Sequence, residues 1–73
     1  MTEESFNLRT EYIDLLQLLK ATGNAATGGE AKHAVEEGQV TVNGEQEYRK
    51  RRKLRAGDVV ILGGRIRITL CGD

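Results

Sequence analysis

Six of the seven residues from Arg49 to Arg55 are cationic: Arg49, Lys50, Arg51, Arg52, Lys53 and Arg55, interrupted by Leu54. Four of them are arginines, whose planar guanidinium fork matches phosphate oxygens and can also stack on a base. The chain carries 11 basic and 11 acidic side chains, so its net charge is zero, but the charge is segregated. Residues 1–48 hold three cations against nine anions, a net −6; residues 49–73 hold eight against two, a net +6. A cluster of this kind creates a local positive potential that the chain average hides, and its commonest use is contact with a phosphate backbone. The competing reading is protection of a sheet edge, for which one or two charges suffice. Few acids lie close in sequence to pair the six.

A second candidate is Thr27-Gly28-Gly29-Glu30, which has capping-box spacing. A helix start exposes unpaired amides and the positive end of the helix dipole, so it can hold a phosphate, and two glycines remove side-chain obstruction. Glu30 could fill the same position itself. Lys32 and His33 fall on the outer arc of the helix that follows, with Glu36 and Glu37 four residues on. His33 reads as a solvated residue, because no cysteine or second histidine accompanies it to suggest a metal.

Other chemistry finds little support. The one histidine and the one cysteine, Cys71, fall on different elements, and no acidic pair has a spacing that forces the two carboxylates together. A domain this thin is not expected to enclose a water-excluded pocket. No catalytic residue, metal, cofactor or small-molecule substrate is therefore expected. The aromatics are Phe6, Tyr12 and Tyr48. Single-strand binders usually stack bases on several rings, so the scarcity favours a folded RNA read by backbone and shape. Tyr48, beside Arg49, could stack one base or pack on its hairpin.

The elements that must position these residues follow from period and punctuation. Residues 1–10 show no periodic pattern and are expected as a flexible tail. From Glu11, the residues Tyr12, Leu15, Leu16 and Leu19 recur at helical spacing, with Thr10 as the expected cap and Gly23 as the stop. A second short helix runs from Thr27 to about Glu37, with Ala31, Ala34 and Val35 on its inner face. The period then falls to two: Val40 and Val42 form a strand, Asn43-Gly44 turns it, and Glu45 to Tyr48 return. The basic run is expected as an extended strand, with Arg49, Arg51 and Lys53 on one face and Lys50, Arg52 and Leu54 on the other. Ala56-Gly57-Asp58 turns into a closing hairpin of Val59–Leu62 and Arg65–Leu70, with Ile66, Ile68 and Leu70 inward. The expected fold is α+β: a helix-turn-helix pair packed on a small, mostly antiparallel sheet of four to five short strands.

A chain of 73 residues is a single domain that buries only about 60% of its unfolded surface. The expected division is a tail at 1–10, the domain at 11–70 and a C-terminal end at 71–73. A lone cysteine argues for a reducing compartment. The acidic start has no apolar segment behind it, and the longest aliphatic run, Val59–Leu62, is far short of a membrane helix. A soluble, cytoplasmic protein with no membrane contact is the expectation.

Three segments carry a resemblance: Thr27-Gly28-Gly29-Glu30-Ala31-Lys32, then Glu37-Gly38-Gln39-Val40-Thr41-Val42-Asn43-Gly44, then Ala56-Gly57-Asp58-Val59-Val60. In this order they resemble the RNA-binding domain of the ribosomal small-subunit protein S4 type, the alpha-L motif. The arginine-lysine run makes the chain similar to its small stand-alone YbcJ-type members. The resemblance implies binding of structured RNA, with ribosomal RNA, the ribosome or an assembly intermediate as the expected partner. By position it implies contacts from Thr27, Gly28, Gly29 and Lys32, continuing into Arg49, Lys50, Arg51, Arg52, Lys53 and Arg55. Many family members carry arginines where this chain has Gly28-Gly29, so the binding energy is expected to shift from the helix start to the basic strand. The rival readings are a protein-interaction adaptor using the charged patches and, more weakly, duplex DNA binding. Glu30, Glu36 and Glu37 make the second helix a poor reader of a DNA groove.

Overall fold

Val40 and Val42 are buried while Thr41 between them is half-buried, the alternation of a strand with one face on a core. This strand, β3 (Val40–Val42), turns through Asn43 and Gly44 into β4 (Glu45–Gln46). Both turn residues have positive φ, 53° and 86°, which is why Asn-Gly closes a two-residue hairpin here. β6 (Val59–Leu62) pairs antiparallel with β3 and with β7 (Ile66–Gly72). As expected, Ile68 and Leu70 are buried and Ile66 is half-buried.

The computed structural model describes residues 1–72. Asp73, part of the expected C-terminal end, lies outside the described residues, but Cys71 and Gly72 of that segment belong to β7. A larger correction concerns the amino terminus. Thr2–Leu8, expected as a tail, is a strand (β1) that pairs parallel with β7 from Thr2 opposite Ile66 to Leu8 opposite Gly72. Its inward positions are Glu4, Phe6 and Leu8, and only two of these are apolar. Strand pairing with β7 supplies what the weak pattern could not. The sheet order is β1-β7-β6-β3-β4, antiparallel except for β1 with β7.

α1 (Leu15–Ala21) begins later than its helical spacing suggested. Asp14, not Thr10, is the cap: its Oδ1 accepts the Gln17 amide at 2.9 Å. Thr10 instead donates to the Tyr12 carbonyl. Ile13–Asp14 is drawn into a two-residue strand, β2, which pairs antiparallel with β5 (Lys53–Leu54) in a second small sheet. α2 (Gly28–Glu36) is capped as read: the Thr27 hydroxyl accepts the Glu30 amide at 3.1 Å. The Glu30 carboxylate reaches the amide of Ala26 rather than that of Thr27.

Both helices lie on one face of the sheet. Leu15, Leu18 and Leu19 of α1 meet Ala31 and Val35 of α2, Leu54 of β5, and Val40, Val42, Val60, Ile68 and Leu70 of the sheet in one core. Two helices over a mostly antiparallel five-stranded sheet is the α+β class expected.

Candidate nucleic-acid interface

Hairpin register determines how the basic run is held. Val42 faces Glu45 and Thr41 faces Gln46, so the next inward position, opposite Val40, falls on Glu47. The Glu47 amide donates to the Val40 carbonyl at 3.0 Å, and the side chain is buried at 5% exposure. A buried carboxylate is stable only when paired and hydrogen-bonded. Two arginines of the run meet this need. Arg49 Nε and Nη2 donate to Glu47 at 3.0 and 3.2 Å, the Arg49 amide donates at 3.0 Å, and Arg52 Nη1 donates at 2.7 Å. The chain therefore curls around Glu47 as a loop, and the extended strand with alternating faces expected for residues 49–54 survives only as Lys53–Leu54.

Those contacts hold the Glu47 carboxyl far below its ordinary range. The Arg49 hydrogen bonds are the main cause; burial opposes them, and Arg52 adds to them. The pKa falls from 4.5 to about 2. Because the folded-state value is depressed, the stability it contributes is complete above about pH 4.5 and is lost as pH falls towards 2. Solvent around Arg49 screens the interaction, so the contribution is about 1–2 kcal/mol. Urea unfolding of the wild type should weaken across this window. Glu47→Gln should be less stable at neutral pH, with the gap to wild type closing towards pH 2; a constant gap would remove Glu47 as the cause.

The rest of the run is tied down from outside. Lys50 Nζ lies 2.9 Å from Glu36 on α2, Arg51 lies 3.8 Å from Asp14, and Arg55 lies 3.6 Å from Glu11. Lys50 holds the Glu36 carboxyl below its ordinary value, with Lys32 and His33 helping. Lys53 sits over the Tyr12 ring with its ammonium 4.8 Å from the centroid, and the Arg55 guanidinium lies 5.8 Å from it. Acids close in sequence were not expected to pair the cations; Glu47 does, and tertiary neighbours supply the rest. Glu11 and Glu36 are exposed and Asp14 is half-buried, but Arg51 on the other side of that pair is exposed; an ion pair with an exposed partner contributes about 0–1 kcal/mol and yields to a better anion.

Arg49, Arg51, Arg52 and Lys53 together line one surface depression. Arg51 is the most open of the three arginines, with its side chain 80% exposed, while that of Arg52 is only 29% exposed because it serves Glu47. The opening of the second helix does not adjoin this depression. The Lys50–Glu36 pair and the bond from the Gln46 amide to the Gly38 carbonyl fix the run at the C-terminal end of α2. Thr27, Gly28 and Gly29 lie at the other end, about 12 Å away at the helical rise. Lys32 lies between: it shares a face with Gly28 and Glu36 at spacing four and is exposed. Gly38 allows the close approach of helix end and hairpin. Its φ is +72°, and a Cβ there would come within 2.8 Å of the Gln46 amide nitrogen.

A fold of two helices on this sheet, with a buried-carboxylate loop presenting guanidinium groups, defines a small α+β module with a cation-lined surface. A family model described as S4 domain matches residues 6–69. The chain is 45% identical over 53 residues to the putative RNA-binding protein YbcJ of Escherichia coli (strain K12), covering 73% of this chain and 76% of that protein. It is 43% identical over 58 residues to the probable ribosome maturation protein RlbA of Bacillus subtilis (strain 168), covering 80% and 82%. Among solved structures, the solution structure of E. coli YbcJ, described as having an alpha-L motif involved in RNA binding, matches at TM-score 0.64 and 37% identity. That match covers 94% of this chain and 87% of that one. The 30S ribosomal protein S4e of Thermoplasma acidophilum matches at TM-score 0.66 and 21% identity, covering 77% of this chain. This chain spans only 30% of the S4e chain, and the likeness there is one of fold. The chain belongs to the S4 domain family.

Proposed function

We propose that this protein binds structured RNA through the loop of residues 49–55, and that its RNA is ribosomal or belongs to a ribosome-assembly intermediate. The observation that carries the reading is the depression lined, among the described residues, by four cations. Supporting it are the similarity to the putative RNA-binding protein YbcJ and to the probable ribosome maturation protein RlbA. Phosphates displace the carboxylates from Lys50, Arg51 and Arg55, while Arg49 and Arg52 remain shaped by Glu47. Lys32 extends the contact along α2. Thr27, Gly28 and Gly29 give a second, separate phosphate position at the helix start, weakened by the Glu30 carboxylate bound there.

Backbone recognition is read by its salt dependence. If about five phosphates are engaged, the logarithm of affinity falls against that of salt with a slope of roughly −3.5 to −4.5. Titrations with ribosomal RNA fragments across salt concentrations measure it, with duplex DNA as competitor. A slope near zero would falsify the reading, and preference for duplex DNA would replace its partner.

A further inference from the structure

Beside the cation-lined depression lies a second one of different character, lined by Thr10, Glu11, Tyr12, Ile13, Asp14 and Gln17. Two contacts join the pair. Arg51 of the first depression is 3.8 Å from Asp14 of the second, and Lys53 of the first lies over the Tyr12 ring. Of the chain's three aromatic residues, Phe6 packs against the core, while Tyr12 and Tyr48 are 42% and 62% exposed, and Tyr12 is the one that lines this depression.

We infer that this second depression is a nucleobase subsite, which takes one unpaired base while its neighbour holds the phosphates. The inference rests on the RNA reading above and names the feature of the RNA that the site selects. Lys53 of β5 and Arg55, just beyond its end, both come to the Tyr12 ring, at 4.8 and 5.8 Å from its centroid. A base stacked on the ring keeps its own phosphate within reach of these cations. The half-buried Ile13 offers an apolar floor. Glu11 and Asp14 repel phosphate from this depression but accept hydrogen bonds from base amines, and the exposed Gln17 amide can both donate and accept. The division of charge between the two depressions thus matches that of a nucleotide, anionic at the phosphate and neutral with polar edges at the base. A fully paired helix keeps its bases stacked inside and leaves this subsite unused, whereas a bulge or loop nucleotide fills it.

The test compares two RNAs, a blunt duplex and the same duplex with one bulged nucleotide, against wild type, Tyr12→Leu and Tyr12→Phe. Wild type is expected to bind the bulged RNA more tightly. Tyr12→Leu should lose that preference, roughly 5-fold to 100-fold in affinity for the bulged RNA, with duplex affinity unchanged. Tyr12→Phe, which keeps the ring, should retain it. In the bulged complex, the Tyr12 ring proton resonances should move upfield, as they do under a stacked base. If Tyr12→Leu weakens both RNAs equally, or neither, the subsite is overturned and the phosphate-binding reading stands. If wild type binds neither RNA, both readings fall together.

Discussion

Arg51→Glu combined with Lys53→Glu should lower affinity for structured RNA by at least about 100-fold, with the fold retained. The two side chains line the same depression, and neither contacts the buried Glu47. Each supplies a charge-assisted contact of about 1.5–3 kcal/mol to phosphate, and reversal adds repulsion to the loss. The cost to stability is small but not zero. Lys53 is opposite Asp14 in the β2–β5 pair, and like charges across a strand pair cost about 0.2–1 kcal/mol. The control is Arg65→Glu with Arg67→Glu in the last hairpin, which changes the net charge equally but away from the loop. Filter binding on both variants reads the difference. Equal losses would mean that total charge and not the loop governs binding; unchanged binding in Arg51→Glu/Lys53→Glu would remove the loop from the interface.

That choice of variant comes from the structure. In the sequence, Arg51 and Arg52 are neighbours of the same type, and both are expected to face solvent. Alternation in a strand would already have separated them, but only the buried Glu47 explains which one turns inward. The signal for Glu47 was present: Asn43-Gly44 sets a two-residue hairpin, and counting back from it places residue 47 opposite Val40 on the core face. An acid at such a position demands cations, and Arg49 and Arg52 are within reach along the chain.

Other parts of the fold were legible for plain reasons. The Thr27 cap, the Val40-Thr41-Val42 alternation and the closing hairpin are each encoded within a few residues, so local chemistry decides them. β1 and β2 are not, because their strand character is conferred by partners about sixty and forty residues away. The same applies to the charge balance. Glu11, Asp14 and Glu36 are remote from the basic run in sequence and adjacent to it in space. At the candidate site, residue types were readable but distances were not. The loop adjoins one end of α2, Gly28-Gly29 opens the other, and Lys32 lies midway between them.

Arg52→Glu should be among the most destabilising single changes on this surface. It replaces the 2.7 Å bond between Arg52 and Glu47 with two carboxylates, one of them buried. Leaving a buried charge alone costs about 3–5 kcal/mol; Arg49 stays on Glu47 here, so the loss falls towards the lower end of that range, still a large part of the 5–15 kcal/mol that holds a small domain together. The backbone amplifies the effect, because the Arg52 carbonyl accepts the Leu15 amide at 3.0 Å and so joins the loop to the start of α1. Urea unfolding at neutral pH should show the loss. Two further measurements separate this cause from general damage. Glu47→Gln should cost the Arg52→Glu protein less than it costs the wild type, because it also removes the repulsion between the two carboxylates. The pH dependence should also flatten. In the wild type, Glu47 is depressed to about 2, and stability falls with acid. In Arg52→Glu, the Arg49 bonds still hold the Glu47 carboxyl down while the introduced carboxylate opposes them, so the loss of stability with acid should be shallower than in the wild type. If Arg52→Glu weakens with acid as steeply as the wild type does, Arg52 does not hold Glu47 in solution, and the curled loop loses its physical basis.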